Sequence, residues 1–525
     1  LNLDKIRKII FLAGLMLLAL SLPTSETGIT ASMVLLLAGW LADNQLYKKI
    51  KTFFSSKTAL AFALLYFVHI AWLINTSDYS YAILDLRTKF SIFLFALIFS
   101  TTPMISAKEF RNVMLVHALT VFITSIIGVY RYLDSDLVDF RNFSPFISHI
   151  RFSLNICIAV FTFIYYSYHS EKSFNCIPHT KKGIKLIFYV FSLWLFVFMV
   201  LMQSFTGLII TLAVLFFGLI WYVINSGTSR YIKLSVFILI ITIPLVFYLY
   251  FYNSFKEYMS RPVVNFNSLG KFTKKGNEYR HDTTYYGLEN GKWTGLYLCE
   301  SEMRETWNKR SLMKYDSLDD NGFYVSSTII RYLTSKDLRK DEAGINSLSD
   351  EDVSNIEKGI ATKESLQGWG IRSRLNTIFF ELMRYETDGE IKGSSIIQRY
   401  ELLKNSLNII SDNFFTGVGT GDVPYAFKQQ LNRSGSPLKD TRMRSHNQYL
   451  SLFISFGLLG FLLCVFSFVY PYLKSGQDLS YFTVVFLIIF FLSNLSEDTI
   501  ESLAGATFYS FFGAMYLFQQ PQRPT

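Results

Sequence analysis

What most limits the fold of this chain is a series of apolar stretches, each roughly 20 residues long, recurring from one end to the other. A helix rises about 1.5 Å per residue, so each stretch is long enough to cross about 30 Å of hydrocarbon. Lipid offers no partner for backbone N–H and C=O groups, so stretches of this kind must be helices. Spans are expected at roughly 7–23, 29–45, 58–75, 87–103, 111–132, 151–168, 184–202, 205–225, 231–252, 447–473, 480–495 and 501–518. The run 184–225 has to be two of them, because a single helix would measure about 63 Å, twice the membrane. Gln203, Ser204 and Gly207 supply a tight turn between the two. The expected fold class is an all-α polytopic membrane protein of about twelve transmembrane helices, with a large outer-side loop between the ninth and tenth.

Composition agrees: 51% of the 525 residues are hydrophobic and 17% aromatic. The net charge of +10 does not point to nucleic acid, because many of the Lys and Arg residues lie in short loops between apolar runs. One set of loops holds Lys48, Lys49, Lys51, Lys57, Lys108, Arg111, Lys172, Lys181, Lys182, Lys185, Arg230, Lys233 and Lys474. The alternate loops at 24–28, 76–86, 203–204 and 496–500 hold no Lys or Arg, and 133–150 holds only Arg141. The positive-inside bias then puts both termini in the cytoplasm and the large loop outside, in the periplasm of a cell with two membranes. Ile9 to Leu22, behind Lys5, Arg7 and Lys8, has the outline of a signal peptide, but no A-x-A site follows and a second apolar run begins almost at once. Three regions result: spans one to nine over 1–252, the loop over 253–446, and spans ten to twelve over 447–525. The four cysteines show neither a disulfide framework nor a metal spacing.

The large loop is not a linker. In Ser394–Asp412 the residues Ile396, Tyr400, Leu403, Leu407 and Ile410 recur at helical spacing and read as one buried face. Residues 265–325 read as irregular or partly β.

Several charges break the topological pattern. Arg87 and Lys89 open the fourth expected span at its outer end, and Arg151 opens the sixth there. Snorkelling explains any one of them; three at one face favour an anionic ligand. Arg399 lies on the amphipathic helix. After it come Gly417, Gly419 and Gly421, whose alternation permits close backbone approach and an oxyanion held by N–H groups. No Gly-Lys-Ser/Thr follows, so this is no Walker motif. His446 stands where the loop re-enters the membrane, beside Arg442 and Arg444 at the start of a helix; a neutral imidazole there accepts a proton. Glu497 and Glu501, four apart, would share a helical face, to orient His446, pair with the arginines or act as bases. His69 and His117 read as packing residues. Arginines binding phosphates bidentately beside a neutral base suit a lipid-linked diphosphate.

In order, Gln398-Arg399-Tyr400, Gly417-Val418-Gly419-Thr420-Gly421-Asp422 and His446-Asn447-Gln448-Tyr449-Leu450, with Gly457 and Gly460, resemble the O-antigen ligase and Wzy polymerase superfamily. Arg331-Tyr332-Leu333-Thr334-Ser335-Lys336 and Glu497-Asp498-Thr499 look like its O-antigen ligase-like branch. The resemblance implies a GT-C-like, metal-independent glycosyltransferase of the bacterial inner membrane that needs no cofactor. Its donor would be a glycan on undecaprenyl diphosphate, and its acceptor lipid A core or a second lipid-linked glycan, among membrane lipids and without nucleic acid. Arg399 would bind the diphosphate and His446 would assist acceptor attack. Where the family often has Ser-Arg, this chain has Ser204-Phe205, and Arg261 is a candidate substitute. A ligase is the leading expectation and a repeat-unit polymerase the close alternative. A transporter or flippase is a rival of another class, but it would place charges near the bilayer midplane within inverted repeats. A sensor or scaffold whose outer loop binds a ligand is a third reading.

Overall fold

The computed structural model describes residues 3–521, apart from 135–142, 170–177, 226, 228, 260–261, 285–286, 290, 320–322, most positions between 363 and 394, 440–443 and 475–478. Apart from one two-residue β pair, Leu288–Glu289 with Lys292–Trp293, the regular elements among these residues are helices. The chain is a polytopic all-α membrane protein that divides into two compact units, Leu1–Thr228 with Arg399–Thr525, and Ser229–Gln398.

The first unit starts with α1 (Leu3–Ser21), α2 (Glu26–Leu41), α3 (Leu46–Ser55), α4 (Lys57–Ala71), α5 (Tyr79–Thr101) and α6 (Ala107–Leu133). It continues through α7 (His149–Tyr168), α8 (Pro178–Leu201) and α9 (Phe205–Asn225). The apolar run 184–225 breaks at Gln203, whose φ of +51° turns the chain before Phe205 opens α9.

The second unit opens on the long apolar helix α10 (Arg230–Met259), followed by α11 (Glu300–Arg310), α12 (Val325–Ser335), α13 (Glu342–Asn346) and α14 (Asp350–Glu357). Trp307, Tyr315, Tyr332, Ile329 and Ile356 form a core of its own. The Arg331–Lys336 motif is a set of ties within it. Arg331 grips Glu289 at 2.7 and 3.3 Å, and Asp352 accepts from the Tyr332 hydroxyl at 2.7 Å and pairs with Lys336 at 2.6 Å.

The first unit is completed by α15 (Ser395–Asp412), most of which lies in it, α16 (Val423–Arg433), α17 (Gln448–Leu473), α18 (Tyr481–Ser493) and α19 (Leu503–Ala514). Its core is strongly aromatic: α4 packs on α17 and α5 on α19, with the Phe62 and Tyr509 rings stacked at 5.2 Å.

The expectation of about twelve spans is corrected. Among the described residues six helices are long and apolar enough to cross a membrane, or seven if α2 and α3, bent by 109°, count as one span. The six cover Lys57–Asn75, Ala107–Leu133, His149–Tyr168, Lys182–Leu201, Lys233–Lys256 and Gln448–Leu473. The other expected spans fail on charge or length. α1 carries Asp4, Lys5, Arg7 and Lys8 in its first turns, and α5 carries Asp85, Arg87 and Lys89. Among the described residues the apolar part of α9 covers only Phe205–Trp221, short of a full span. α18 has 13 residues, about 20 Å against the 30 Å of hydrocarbon. α19 has 12 residues before a π-helical turn at Met515–Gln519.

The amphipathic helix forms as α15, but its buried face is not the expected one. Tyr400, Leu403 and Leu407 are exposed, while Ile397, Leu402, Ile409, Glu401, Asn405 and Ser406 are buried. Half of that inner face is polar and satisfied by hydrogen bonds: Asn405 donates to the Glu401 carbonyl and accepts from Gln430. Apolar periodicity is blind to such a face.

Candidate functional site

In the first unit, helix starts and turns converge on the segment 494–502. Tyr81, Asp85 and Lys89 recur every four residues along one face of α5. Lys89 is 1% exposed and stays charged in an apolar bundle by pairing: Nζ bonds Asp85 and lies 2.8 Å from Glu501 Oε2. Arg444, just ahead of α17, meets the same oxygen at 2.8 Å and also bonds the Tyr81 hydroxyl.

The motif 446–449 divides its work. Asn447 caps α17, accepting from the Leu450 amide at 3.1 Å, and donates to the Leu495 carbonyl at 2.9 Å. Gln448, fully buried, donates to Glu501 Oε1 at 3.0 Å and accepts from the Ile500 amide at 2.9 Å. The Tyr449 hydroxyl donates to the Phe491 carbonyl at 2.9 Å. Three residues thus bolt α17 to the chain around 491–501, and the fourth is left free. His446 is half-buried, its imidazole has no hydrogen-bond partner among the described residues, and its φ is +50°. A non-glycine residue in the left-handed region is strained, and such strain concentrates at functional positions.

Around this histidine lie two further carboxylates. Glu497 accepts from Arg399 Nη2 at 2.6 Å, and the Arg399 side chain is 40% exposed. Asp498 accepts from Ser445 and Ser451 at 3.2 and 3.1 Å, and its carbonyl accepts from Arg151 Nη2 at 2.7 Å. Arg151 Nε donates to the Ser502 hydroxyl at 3.1 Å, while its buried Nη1 has no partner among the described residues. Burial pushes the Glu497 carboxyl above its ordinary range against the pull of Arg399, Arg151 and His446. Burial likewise raises Asp498, with the charge of Glu501 adding to it. Glu501 goes the other way: burial would raise it, but Lys89 and Arg444 hold it well below the usual range.

The site is therefore charge-balanced, with Lys89, Arg151, Arg399 and Arg444 against Asp85, Glu497, Asp498 and Glu501. Beside Lys89, Arg444 and Glu501 the free space is about 10 Å³, at the lower limit for one water. That inner group has no room for a phosphate. The more accessible donor is Arg399, whose side chain is 40% exposed.

Of the site residues expected from sequence, Lys89, Arg151, Arg399, Arg444, His446, Glu497 and Glu501 come together here. Arg87 is exposed on α5, away from the Lys89 face. Arg261 and Arg442 lie outside the described residues. Glu497 and Glu501 do not share a helical face, because only a 3₁₀ turn, Thr499–Glu501, forms there; each carboxylate serves a different cation instead.

Gly417, Gly419 and Gly421 have another physical role than an oxyanion cradle. Their amides are spent on the Asn413 carbonyl, the Ser455 carbonyl and the Thr76 hydroxyl at 2.9, 2.9 and 3.3 Å. What the glycines permit is contact. Gly419, at φ +102°, lies so close to the Asn75 carbonyl that a Cβ would overlap it, and Gly417 presses on the kink of α17 at Gly457. Asp422 completes the seam by accepting from the Ser77 and Asp78 amides at 2.7 and 2.8 Å.

Sequence reading did not single out Asp85 or Tyr81, and Gln448 and Asp498 entered only as motif positions without a role. Asp85 carried a usable signal, an acid four residues before a lysine at the mouth of an apolar run. Among the described residues no group of three or more His, Cys, Asp or Glu side chains is arranged to hold a metal.

Residues 360–465 match the model of the O-antigen ligase family, Wzy_C. The matched stretch, about a fifth of the chain, is similar to that family's model. It contains Arg399, the 417–421 turn, Arg444 and His446, whereas their partners Lys89, Arg151, Glu497 and Glu501 lie outside the matched stretch. No curated protein matches the chain.

Proposed function

We propose that the protein is a membrane glycosyltransferase that moves a polysaccharide from undecaprenyl diphosphate to an acceptor hydroxyl, as an O-antigen ligase acting on lipid A core. The observation that carries this reading is that Arg399, on the amphipathic helix, is held 2.6 Å from the buried Glu497, next in sequence to Asp498, whose carbonyl accepts from Arg151. The Arg399 side chain is 40% exposed and among the described residues makes one hydrogen bond, to Glu497, so a diphosphate oxygen can take the place of Glu497 on it. Arg151 keeps an N–H that is unspent among the described residues. In the reaction the acceptor oxygen bonds to the anomeric carbon as the bond from that carbon to the diphosphate breaks. His446 takes the hydroxyl proton, and the departing diphosphate keeps the bonding electrons. A direct in-line attack inverts the anomeric centre. Stabilising the leaving charge through one such donor is worth about 10²-fold in rate or more, and general base assistance about 10²–10⁴-fold.

Lys89, Arg444 and Glu501 support the site rather than touch substrate, since the space beside them holds no more than about one water, and Gln448 is fully buried. The positive-inside bias supports an inner-membrane protein with both termini cytoplasmic and segment 253–446 periplasmic.

The test is a reconstitution with polyprenyl-diphosphate oligosaccharide, with and without lipid A core. Transfer that requires core supports the ligase reading. Ladders of longer glycan without core would replace it by a polymerase. Absence of any product with every acceptor offered overturns the transferase.

A further inference from the structure

Apart from the ion network, the first unit has a cleft of about 440 Å³ between the end of α15 and the later turns of α16. Its polar lining is Asp412, Asn413, Gln429, Gln430, Asn432 and Arg433. The volume lies within the range of small-ligand sites, and no part of the chemistry above uses it. We propose that this cleft is a binding subsite for the neutral sugar units of a glycan chain, an inference that rests on the transferase reading.

The lining selects the ligand class. Four of the six side chains are carboxamides, each with two N–H donors and an acceptor oxygen, which match sugar hydroxyls that donate and accept in turn. Much of this capacity is unspent. Gln429 Nε2 donates to the Tyr425 hydroxyl at 2.6 Å and Asn413 Nδ2 to the Ile409 carbonyl at 3.0 Å, which leaves both side-chain carbonyl oxygens open among the described residues. The Asn432 amide makes no hydrogen bond among the described residues. The two charges cancel, with Arg433 2.9 Å from Asp412, so the described lining has no spare cation for a phosphate and no spare acid for an amine. Ile409 and Ala426 are its apolar lining, too little for a lipid chain. One wall is rigid, since Gln430 is 7% exposed and donates to the buried Asn405.

Position gives the cleft a purpose. α15 starts beside Arg399 on Glu497 and ends at Asp412 in the cleft, about 20 Å further on. α16 starts at Val423, which lines the small space beside Arg444, and ends in the cleft at Arg433, about 15 Å away. A chain of several sugars reaching back from the reacting centre along these helices ends among the amides.

The experiment measures binding, not turnover. The purified full-length protein is titrated with a fluorescently tagged neutral oligosaccharide of several repeat units, released by mild acid from the surface polysaccharide of the source cell. The double variant Gln429→Ala/Asn432→Ala is expected to bind about tenfold more weakly. Both side chains lie at the surface, and a thermal melt confirms folding; Ala426→Trp, which fills the cleft, is expected to reproduce the loss. Unchanged affinity in both variants overturns the proposal, as does absence of binding to the wild type. Cleft-dependent binding by a protein that transfers no glycan would sink the transferase while leaving the subsite in place.

Discussion

Arg399 donates through Nη2 to Glu497 Oε1 at 2.6 Å, joining a helix about three-quarters of the way along the chain to a turn 98 residues later. The guanidinium is exposed and the carboxylate buried, so the pair can open toward a ligand without unpacking the core. On the reading above, that opening admits the donor diphosphate. Arg399→Ala is expected to lower transfer by about 10²-fold or more with the protein still present in the membrane. Arg399→Lys keeps the charge but not the planar fork, and should recover only part of the rate. Initial rates normalised to protein abundance check both, and near-normal transfer by the alanine variant would remove Arg399 from the chemistry.

His446 separates a chemical role from a structural one. Its φ of +50° costs about 1–2 kcal/mol for any residue with a Cβ, and its ring makes no hydrogen bond among the described residues that a variant would lose. His446→Gly is therefore expected to melt at or above the wild-type temperature, and His446→Ala below the glycine variant by about 1 kcal/mol in stability. Transfer should fall by about 10²–10⁴-fold in both. A large loss of stability in the glycine variant would mark the histidine as structural.

How far the sequence showed this depends on whether the physics was local. The order Arg399, glycine turn, His446 was legible because each residue type carries its own chemistry. So was the helical character of the apolar runs, since lipid permits little else. The number of spans was not, because hydropathy alone cannot tell a crossing helix from one of 13 residues such as α18. Nor were the partners: Glu501 gathers Lys89, Arg444 and Gln448 from two distant stretches of chain, a relation with no local pattern. On α15 the inner face failed for another reason, since Glu401, Asn405 and Ser406 are buried through hydrogen bonds and not through apolarity.

The glycine turn gives a prediction of its own. With their amides already satisfied, Gly417 and Gly419 act through close packing, so Gly419→Ala should fail by collision with the Asn75 carbonyl at a strained φ. The expected cost exceeds about 2 kcal/mol, read as lost folded protein or a lower melting temperature. Donor affinity per folded molecule should not change. Intact folding with donor binding abolished would restore the turn as an anion cradle.

Glu497 and Glu501, four positions apart, should respond to pH with opposite signs. Burial lifts the Glu497 carboxyl above its ordinary value of 4.5 in spite of the charges of Arg399, Arg151 and His446, so the folded state holds that proton more tightly than the unfolded chain. Its contribution is complete below the ordinary value and is lost as pH rises through the folded one. At neutral pH Glu497→Gln should be neutral or stabilising, and the advantage should fade on acidification. For Glu501 burial is overcome by Lys89 and Arg444, and its pKa lies below the ordinary 4.5. Its contribution is complete above 4.5 and is lost as pH falls toward the depressed value. Glu501→Gln should cost about 3 kcal/mol at neutral pH, since it leaves two buried cations short of a partner, and the gap to wild type should narrow as the buffer is acidified. Melting curves of both variants and the wild type in detergent, from pH 7.5 downward, decide the matter. If the two substitutions shift stability in the same direction at neutral pH, one of the two electrostatic assignments is wrong.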